Sequence, residues 1–392
     1  MGKGQLMRIV ILGAGILGLA TAVELASHQA KQQLDINVVD PAPMSGATYH
    51  AGGMLAPTAE MIYQQDSLFP LMQTSAQWYP ELIKTVTEHT SLPLGYREDG
   101  TLVVAADRAD AQHLRNVMHY QHAYGMNVEQ LPLSKARQIE PALHPHLAGV
   151  VSIPGDHQIA PRVFAAALYD AAINLGVTFH PLTATHLRIS EPAKGGAPVH
   201  VHTTGSTFPA DQVVVANGLG ASTLSGWHPC ATQESSPLKL RPVYGDIVRL
   251  RVPTYLRPFI RKVIRGFVEG RPIYIIPRDD GTIALGATTR EDSRPAPHLG
   301  GVYDLLRDAI RIAPGLEDCD FLEATAGARP GTPDDLPYLG RVNDHVVMST
   351  GYFRHGILLA ALGARVSREL VLGQPLSADI RECCPLRHLV NV

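Results

Sequence analysis

The sequence predicts an α/β chain in which one domain, discontinuous along the chain, carries an inserted and mainly antiparallel β domain. Three observations lead there. The segment from Met7 to Asp40 runs strand, glycine turn, helix, strand, acid. The stretch from Leu240 to Ala287 reads as successive short strands separated by turn signals. The last third, from His345 to Leu372, returns to a strand, a glycine-flanked turn and an apolar helix.

The opening unit reads MRIVILGAGILGLATAVELAS…INVVD. Arg8 to Leu12 is a short run rich in Ile and Val, the pattern of a buried parallel strand. Gly13, Gly15 and Gly18 follow as G-x-G-x-x-G, and Ile16 to Ser27 continues as an apolar helix. Ile36 to Val39 forms the second strand and ends on Asp40. Each part has a physical task. Gly13 permits the tight turn, Gly15 lets backbone N–H groups approach a pyrophosphate, and Gly18 lets helix and strand pack closely. The helix N-terminus offers unpaired donors and a positive dipole end to the anion. Asp40 lies about 20 residues beyond the glycines, where a carboxylate reaches a ribose hydroxyl and repels a 2′-phosphate. The glycines alone would also suit a turn between packed elements. The full ordered unit points to a Rossmann-like domain that binds an adenine dinucleotide.

The chain has 392 residues, more than one compact core accommodates, so two domains are expected. Residues 1–90, 145–225 and 325–392 are assigned to the dinucleotide domain, and 91–144 with 226–324 to the substrate domain. Hydrophobic residues make up 45% and charged residues 18%, an ordinary globular profile. A net charge of −3 gives no reason to expect a nucleic-acid partner. No apolar run reaches the ~18 residues of a spanning helix, so no membrane is expected. The apolar opening belongs to the first strand, which argues against a signal peptide. Cys230, Cys319, Cys383 and Cys384 show no C-x-x-C spacing, consistent with a reduced, cytoplasmic protein. The 18 histidines are scattered, and His144-Pro145-His146 has no partner at metal-ligand spacing, so no metal site is expected.

After Asp40, Pro41 to Glu60 is rich in small residues, which suits close backbone approach to a large flat ligand or, alternatively, a surface loop. Leu68 to His89 has helical apolar spacing. Gly100 to Ala105 reads as a strand, Ala109 to Tyr124 as an amphipathic helix and Ala148 to Ile153 as a strand. Pro161 to Leu175 reads as a helix with proline in its first turn. Val177 to Phe179 and His186 to Ile189 are expected strands, and Lys194 to Ala197 a hairpin turn. Gln212 to Ala216 is a β-branched strand that exits through Asn217, Gly218, Leu219 and Gly220. Leu240 to Leu250, Val263 to Val268, Arg271 to Pro277 and Thr282 to Ala287 form the antiparallel set, with Asp279-Asp280-Gly281 as a hairpin turn. Tyr303 to Ile312 and Ile357 to Leu372 read as helices, with His345 to Ser349 as a strand between them.

Several motifs coincide with this layout in one order: Gly13-Ala14-Gly15-Ile16-Leu17-Gly18, Gly53-Met54-Leu55-Ala56 through Ala59-Glu60, Tyr274-Ile275-Ile276-Pro277-Arg278, Gly286-Ala287-Thr288, Gly327-Ala328-Arg329-Pro330-Gly331-Thr332, Pro337-Tyr338-Leu339-Gly340-Arg341 and Gly351 through Ala360. With them the chain resembles the D-amino-acid oxidase superfamily of flavoproteins and, within it, the glycine oxidases of thiamine biosynthesis. The resemblance implies FAD as cofactor, glycine or another small amine as substrate, and O2 as the acceptor that becomes H2O2. It implies an imine product that feeds thiazole assembly, and a homo-oligomer, often a tetramer. It places the cofactor against Gly13, Ala14, Gly15, Ile16, Leu17, Gly18, Asp40, Thr48, His50, Gly52, Gly53, Met54, Leu55, Thr185, Ala216, Asn217, Gly218, Arg329, Arg354, His355, Gly356 and Ile357. It places the substrate against Glu60, Tyr274, Thr289, Arg329 and Arg354, of which Arg329, Tyr274 and Arg354 carry the chemistry.

Those residue types suit the task. Arg329 can clamp a carboxylate with two charge-assisted hydrogen bonds, unless it is spent on an ion pair with Asp334 or Asp335. Tyr274 can add a hydroxyl to the same group, unless it is a core tyrosine. Arg354 and the N–H groups of His355, Gly356 and Ile357 can stabilise negative charge on a reduced flavin, unless Arg354 is a surface residue at a helix start. Two positions depart from the glycine oxidase pattern: Pro272 stands where histidine is usual and Thr289 where methionine is usual, which opens the site to a D-amino-acid or sarcosine-type amine. The segment Thr48-Tyr49-His50-Ala51-Gly52-Gly53 is similar to one in dimethylglycine and sarcosine dehydrogenases whose histidine carries covalent flavin. Its flanks are those of the glycine oxidases, whose resemblance implies a non-covalent cofactor.

Overall fold

The computed structural model describes residues 6–28, 33–61, 63, 65–190, 196–232 and 236–389. Its first layer is a six-stranded sheet in the order Tyr338–Asn343, Val346–Thr350, Gln212–Val215, Met7–Leu12, Leu34–Val39, Thr178–His180. All pairs are parallel except the first, in which Tyr338–Asn343 runs against Val346–Thr350 at the edge. The central strands are apolar on both faces because both faces are covered. Ile9, Ile11, Ile36, Val38, Val214 and Val347 pack under the helices Ile16–Ser27, Leu68–His89, Pro161–Asn174 and Ala360–Val371. Val10, Leu12, Val39, Val213, Val215, Val346 and Met348 pack against a three-stranded meander, Ala184–Ile189, Val199–Thr203 and Thr207–Ala210, and against buried Trp227.

The second layer is an eight-stranded sheet in the order Asp320–Gly331, Arg241–Arg251, Thr282–Gly286, Arg271–Pro277, Val263–Val268, Thr101–Ala105, Gly149–Ile153, Glu129–Gln130. Only the Val263–Val268 and Thr101–Ala105 pair is parallel. One face carries an apolar core closed by the helices Leu299–Ile312 and Leu133–Ile139. The opposite face turns toward the first layer and is where Tyr274 sits. Residues 149–153 and 325–331, which the sequence expectation assigns to the dinucleotide domain, pair in this second sheet. A small sheet of Met54–Leu55, His157–Ile159 and Tyr96–Arg97 completes the strands described.

The expected elements recur with shifted ends where tertiary contacts intervene. Helix Leu68–His89 and strands Val263–Val268 and Arg271–Pro277 have the bounds read from the sequence. The last helix begins at Ala360 rather than Ile357, because a tight turn over Phe353–His355 comes first and the Ile357 and Leu358 carbonyls that follow accept side-chain hydroxyls of the Leu68–His89 helix. The meander strands Val199–Thr203 and Thr207–Ala210 escape sequence reading because they are short, polar and interrupted by Pro209. Asp320–Gly331 escapes it because Ala and Gly carry little strand preference and register with Arg241–Arg251 decides the conformation. Two of the four residues of the turn expected at Lys194 to Ala197, 194 and 195, lie outside the described residues. No described helix is long and apolar enough to cross a membrane, and among the described residues no group of three or more His, Cys, Asp or Glu could hold a metal ion.

The Leu68–His89 helix fixes the loop after Gly351. Tyr79, 1% exposed, donates its hydroxyl to the Ile357 carbonyl at 2.6 Å. Ser75 donates to the Leu358 carbonyl at 2.6 Å and accepts from the Leu362 N–H at 3.1 Å. Tyr79→Phe removes one of the two hydrogen bonds to the Ile357 carbonyl, leaving that from the Ala360 N–H, and is expected to cost about 0.5–1.5 kcal/mol, measured by urea unfolding. An unchanged midpoint would show that this bond does not hold the loop.

Candidate active site

A cavity of about 690 Å³ lies between the two layers. One side is built by the glycine turn. Gly13 has φ +101°, its N–H donates to the Val39 carbonyl at 2.9 Å, and a Cβ there would stand 2.6 Å from the Ala216 oxygen. A Cβ at Gly18 would overlap the Gly13 carbonyl, so the close helix–strand approach requires glycine. Thr48 accepts the Ile16 N–H at 3.0 Å and so occupies a helix-start donor while itself lining the cavity. Asp40 accepts the Ala14 N–H at 2.6 Å and the Ala42 N–H at 2.8 Å. It thereby holds the turn as well as facing the cavity, and each carboxylate oxygen has a further lone pair. Ala216, Asn217 and Gly218 line the same side, and the Asn217 side-chain oxygen is buried with no partner. A cradle closed to side chains and an unsatisfied amide oxygen fit a bound dinucleotide.

Pro41 to Met54 forms much of one wall, so the small-residue stretch lies against the cavity rather than out in solvent. His50, Gly52, Gly53 and Met54 all line it. A Cβ at Gly52 would stand 2.7 Å from the Tyr274 hydroxyl, so glycine here makes room for that ring. His50 packs where a Gly327 side chain would be, and its Nδ1 is buried without a partner. Burial, with Arg162 and Arg249 nearby, pulls its pKa down and keeps the imidazole neutral.

The opposite wall belongs to the eight-stranded sheet. Tyr274 stands across from Arg265 on one neighbour and Gly286 on the other. Burial raises its pKa, which Arg329, Arg249, Arg278 and Arg265 oppose, and its hydroxyl has no hydrogen bond to the described residues. Arg329 comes from the edge strand opposite Val243 and lays its guanidinium over Gly245, where any side chain would collide with it. Its one hydrogen bond goes to the Thr288 carbonyl at 3.3 Å. No described carboxylate pairs with it. Asp334 pairs with Arg387 at 2.7 Å, and Asp335 with Arg241 at 3.2 Å. The ion pair that would have made Arg329 structural is therefore taken up elsewhere.

Arg354 is not a surface residue. It donates to the Glu60 carbonyl at 3.3 Å, to Gln65 Oε1 at 3.2 Å and to His355 Nε2 at 3.0 Å, and lies 3.9 Å from the Glu60 carboxylate. Burial pushes its pKa down to about 10, so it stays charged at neutral pH. His355 is buried and its pKa is driven well below normal by burial, Arg354 and Arg265. Its backbone N–H is spent on the Tyr352 carbonyl at 2.9 Å, because Phe353–His355 is wound as a tight turn, while the residue itself lines the cavity. Gly356 and Ile357 line the cavity.

Glu60, Pro272 and Thr289 also line it. Ala14, Gly18 and Leu55 support the wall from behind. Thr185 is displaced: its hydroxyl donates to the His202 carbonyl at 3.3 Å in the meander, and Thr183 lines the cavity in its place. The two threonines are two residues apart, so alternation alone does not separate them; Thr183 precedes the strand Ala184–Ile189, whereas Thr185 lies within it. Arg265 is the main lining residue that sequence reading missed. It is 9% exposed and ion-paired with Glu60. Burial pushes its pKa down to about 9. A lone arginine at an inward position between Val263 and Phe267 was its signal. Arg278, inside a recognised motif, donates to the Gly52 carbonyl, to Gln158 at 2.8 Å and to the Ile159 carbonyl at 3.0 Å, and so anchors the wall that carries His50 and Gly52.

Comparison with known proteins agrees with this arrangement. The FAD dependent oxidoreductase family model matches residues 8–370. The chain is 30% identical over 392 residues to a glycine oxidase of Geobacillus kaustophilus, covering 98% of each. A crystal structure of glycine oxidase from Geobacillus kaustophilus superposes with a TM-score of 0.84 at 28% identity, over 98% of this chain and all of that one. A bifunctional protein ThiO/ThiG of Synechocystis is 32% identical over 386 residues, which cover 98% of this chain and 54% of the relative. The glycine turn, the acid after the second strand and the walls that meet them are thus those of a flavoenzyme, and the chain belongs to the family of FAD-dependent oxidoreductases.

Proposed function

We propose that this enzyme oxidises glycine or a similar small amine to its imine, reducing O2 to H2O2, and that the imine supplies thiazole assembly in thiamine biosynthesis. The observation that carries the reading is Arg329: a buried guanidinium with no carboxylate partner among the described residues, beside the Tyr274 hydroxyl, which is unbonded among them too, in the cavity that the glycine turn opens. A desolvated cation of that kind is costly unless a ligand supplies the anion. An amino-acid carboxylate matches it, with two parallel N–H···O bonds from Arg329 and one from Tyr274. Glu60 is the carboxylate on that side and can accept from the substrate's amine. The amine must lose its proton before its lone pair can drive the C–H bond to break, and His355 is a poor base for that step, since its pKa is depressed and its Nε2 already accepts from Arg354. When bound, FAD would supply the electron acceptor, with O2 as the final oxidant. Arg354 contributes fixed positive charge where negative charge grows. Position and electrostatics are what the chain adds.

Pro272 and Thr289 line the cavity where the glycine oxidase pattern has histidine and methionine, and that favours a second reading in which sarcosine or a D-amino acid is preferred, or the electrons leave to another acceptor. Localisation in the cytoplasm and assembly as a homo-oligomer belong to the same proposal.

An anaerobic titration with glycine, sarcosine and D-alanine, followed by air, tests it. Bleaching of the flavin and then peroxide is expected. Bleaching without peroxide on reoxidation would favour a dehydrogenase, and no bleaching with any amine would end the reading. Arg329→Met is expected to lower kcat/KM by about 30- to 1,000-fold, the roughly 2–4 kcal/mol of a buried charged pair. Tyr274→Phe is expected to lower it about fivefold, one neutral hydrogen bond. Acid precipitation is expected to release the flavin intact; flavin that stays with the precipitate would assign His50 a covalent link instead.

A further inference from the structure

Three guanidiniums line the substrate side of the cavity, Arg265, Arg329 and Arg354, against one carboxylate, Glu60. The other lining carboxylate, Asp40, is held at the glycine turn by the Ala14 and Ala42 N–H groups. Glu60 is shared. It pairs with Arg265 and lies 3.9 Å from Arg354, so neither cation has an acid to itself. An amine with one carboxylate satisfies Arg329 and leaves the excess on the Arg265 side unmatched. Arg265 itself is incompletely bonded: Glu60 meets one terminal nitrogen, while Nε is buried with no partner. Its strand position is not accidental to the site. It stands directly across from Tyr274, and in antiparallel pairing opposed side chains share a face. The position two before Tyr274, Pro272, offers no hydrogen bond from its side chain, which leaves Arg265 as the polar group on that part of the wall. Buried guanidiniums bridge carboxylates well because their five donors fan out in one plane.

We propose that Arg265 binds a second acidic group on the substrate, so that the amine preferred by this enzyme is a diacid: an α-amino acid or N-substituted glycine with a further carboxylate. This rests on the amine-oxidation reading above and narrows its substrate class. Arg329 and Tyr274 take the carboxylate next to the reacting carbon. Arg265 takes the distal one through its free edge, while Glu60 keeps the other edge and faces the amine. The charged and titratable groups around Arg265 are Glu60, Arg354, Tyr274 and His355, with Arg329 beyond Tyr274.

The test compares matched pairs in stopped-flow flavin reduction of the holoenzyme. Iminodiacetate against sarcosine places the extra acid on the nitrogen substituent, and D-aspartate against D-alanine places it on the carbon substituent. In at least one pair the diacid is expected to have the higher apparent second-order rate, by about tenfold or more. In Arg265→Met that ratio is expected to fall to about one; because it is a ratio, a general loss of activity cancels. Binding of succinate against butyrate to the unmodified holoenzyme, read from the flavin absorbance, gives a second measurement that needs no variant, with succinate expected to bind about tenfold tighter. Equal rates in both pairs with equal binding of succinate and butyrate would overturn the proposal. So would a diacid preference that survives in Arg265→Met. If no amine reduces the flavin, the oxidation reading fails separately, and the succinate comparison still decides whether Arg265 is an acid-binding group.

Discussion

Burying arginine without a matching acid is the constraint on which the rest of this molecule depends. Arg329 and Arg265 are both withdrawn from water, and neither has a carboxylate to itself. Charges in such surroundings are tolerated only when something returns the lost hydration. The fold does this in part, with the Thr288 carbonyl for Arg329 and the Glu60 side chain for Arg265, and leaves the balance to a ligand. Two other withdrawn arginines meet internal acids. Arg290 meets fully buried Asp246 at 2.8 Å, and Arg368 lies 3.3 Å from Glu24. The contrast marks the cavity as the place where positive charge has been left over.

Holding those side chains in place requires that others be absent. Gly245 lies beneath the Arg329 guanidinium, Gly52 and Gly286 flank the Tyr274 ring, and Gly327 makes room for His50. Four glycines on strands and loops that meet at one wall each give space to a residue from a different part of the chain. The cost is strand stability, since glycine packs nothing and loses the most backbone freedom on folding. The eight-stranded sheet offsets it with an apolar core on its far face, where Leu250, Ile264, Ile273, Ile275 and Leu285 meet Leu305, Ala309 and Ile312.

Much of the fold could be read in order along the chain. The helix Ile16–Ser27, the helix Leu68–His89 and the strands Val263–Val268 and Arg271–Pro277 follow from period and turn residues alone. What escaped was short or compositionally neutral: the small helix Leu133–Ile139, the second and third meander strands Val199–Thr203 and Thr207–Ala210, and the Ala/Gly-rich strand Asp320–Gly331. The motif around Arg329 was visible, but whether that arginine was free or paired was not. The answer depended on Arg387 and Arg241, which come from the C-terminal segment and from another strand and occupy Asp334 and Asp335.

The sequence by itself determined the dinucleotide unit, because each of its parts is local: a turn that only glycine can make, a helix start that follows it, and an acid one strand later. Only the tertiary structure decided which charges meet in the cavity. Arg265 joins Glu60, and Tyr274 stands across from Arg265, through strand register and the docking of one layer on the other. Those are long-range choices, and a shift of one residue along a strand would send each side chain to the opposite face.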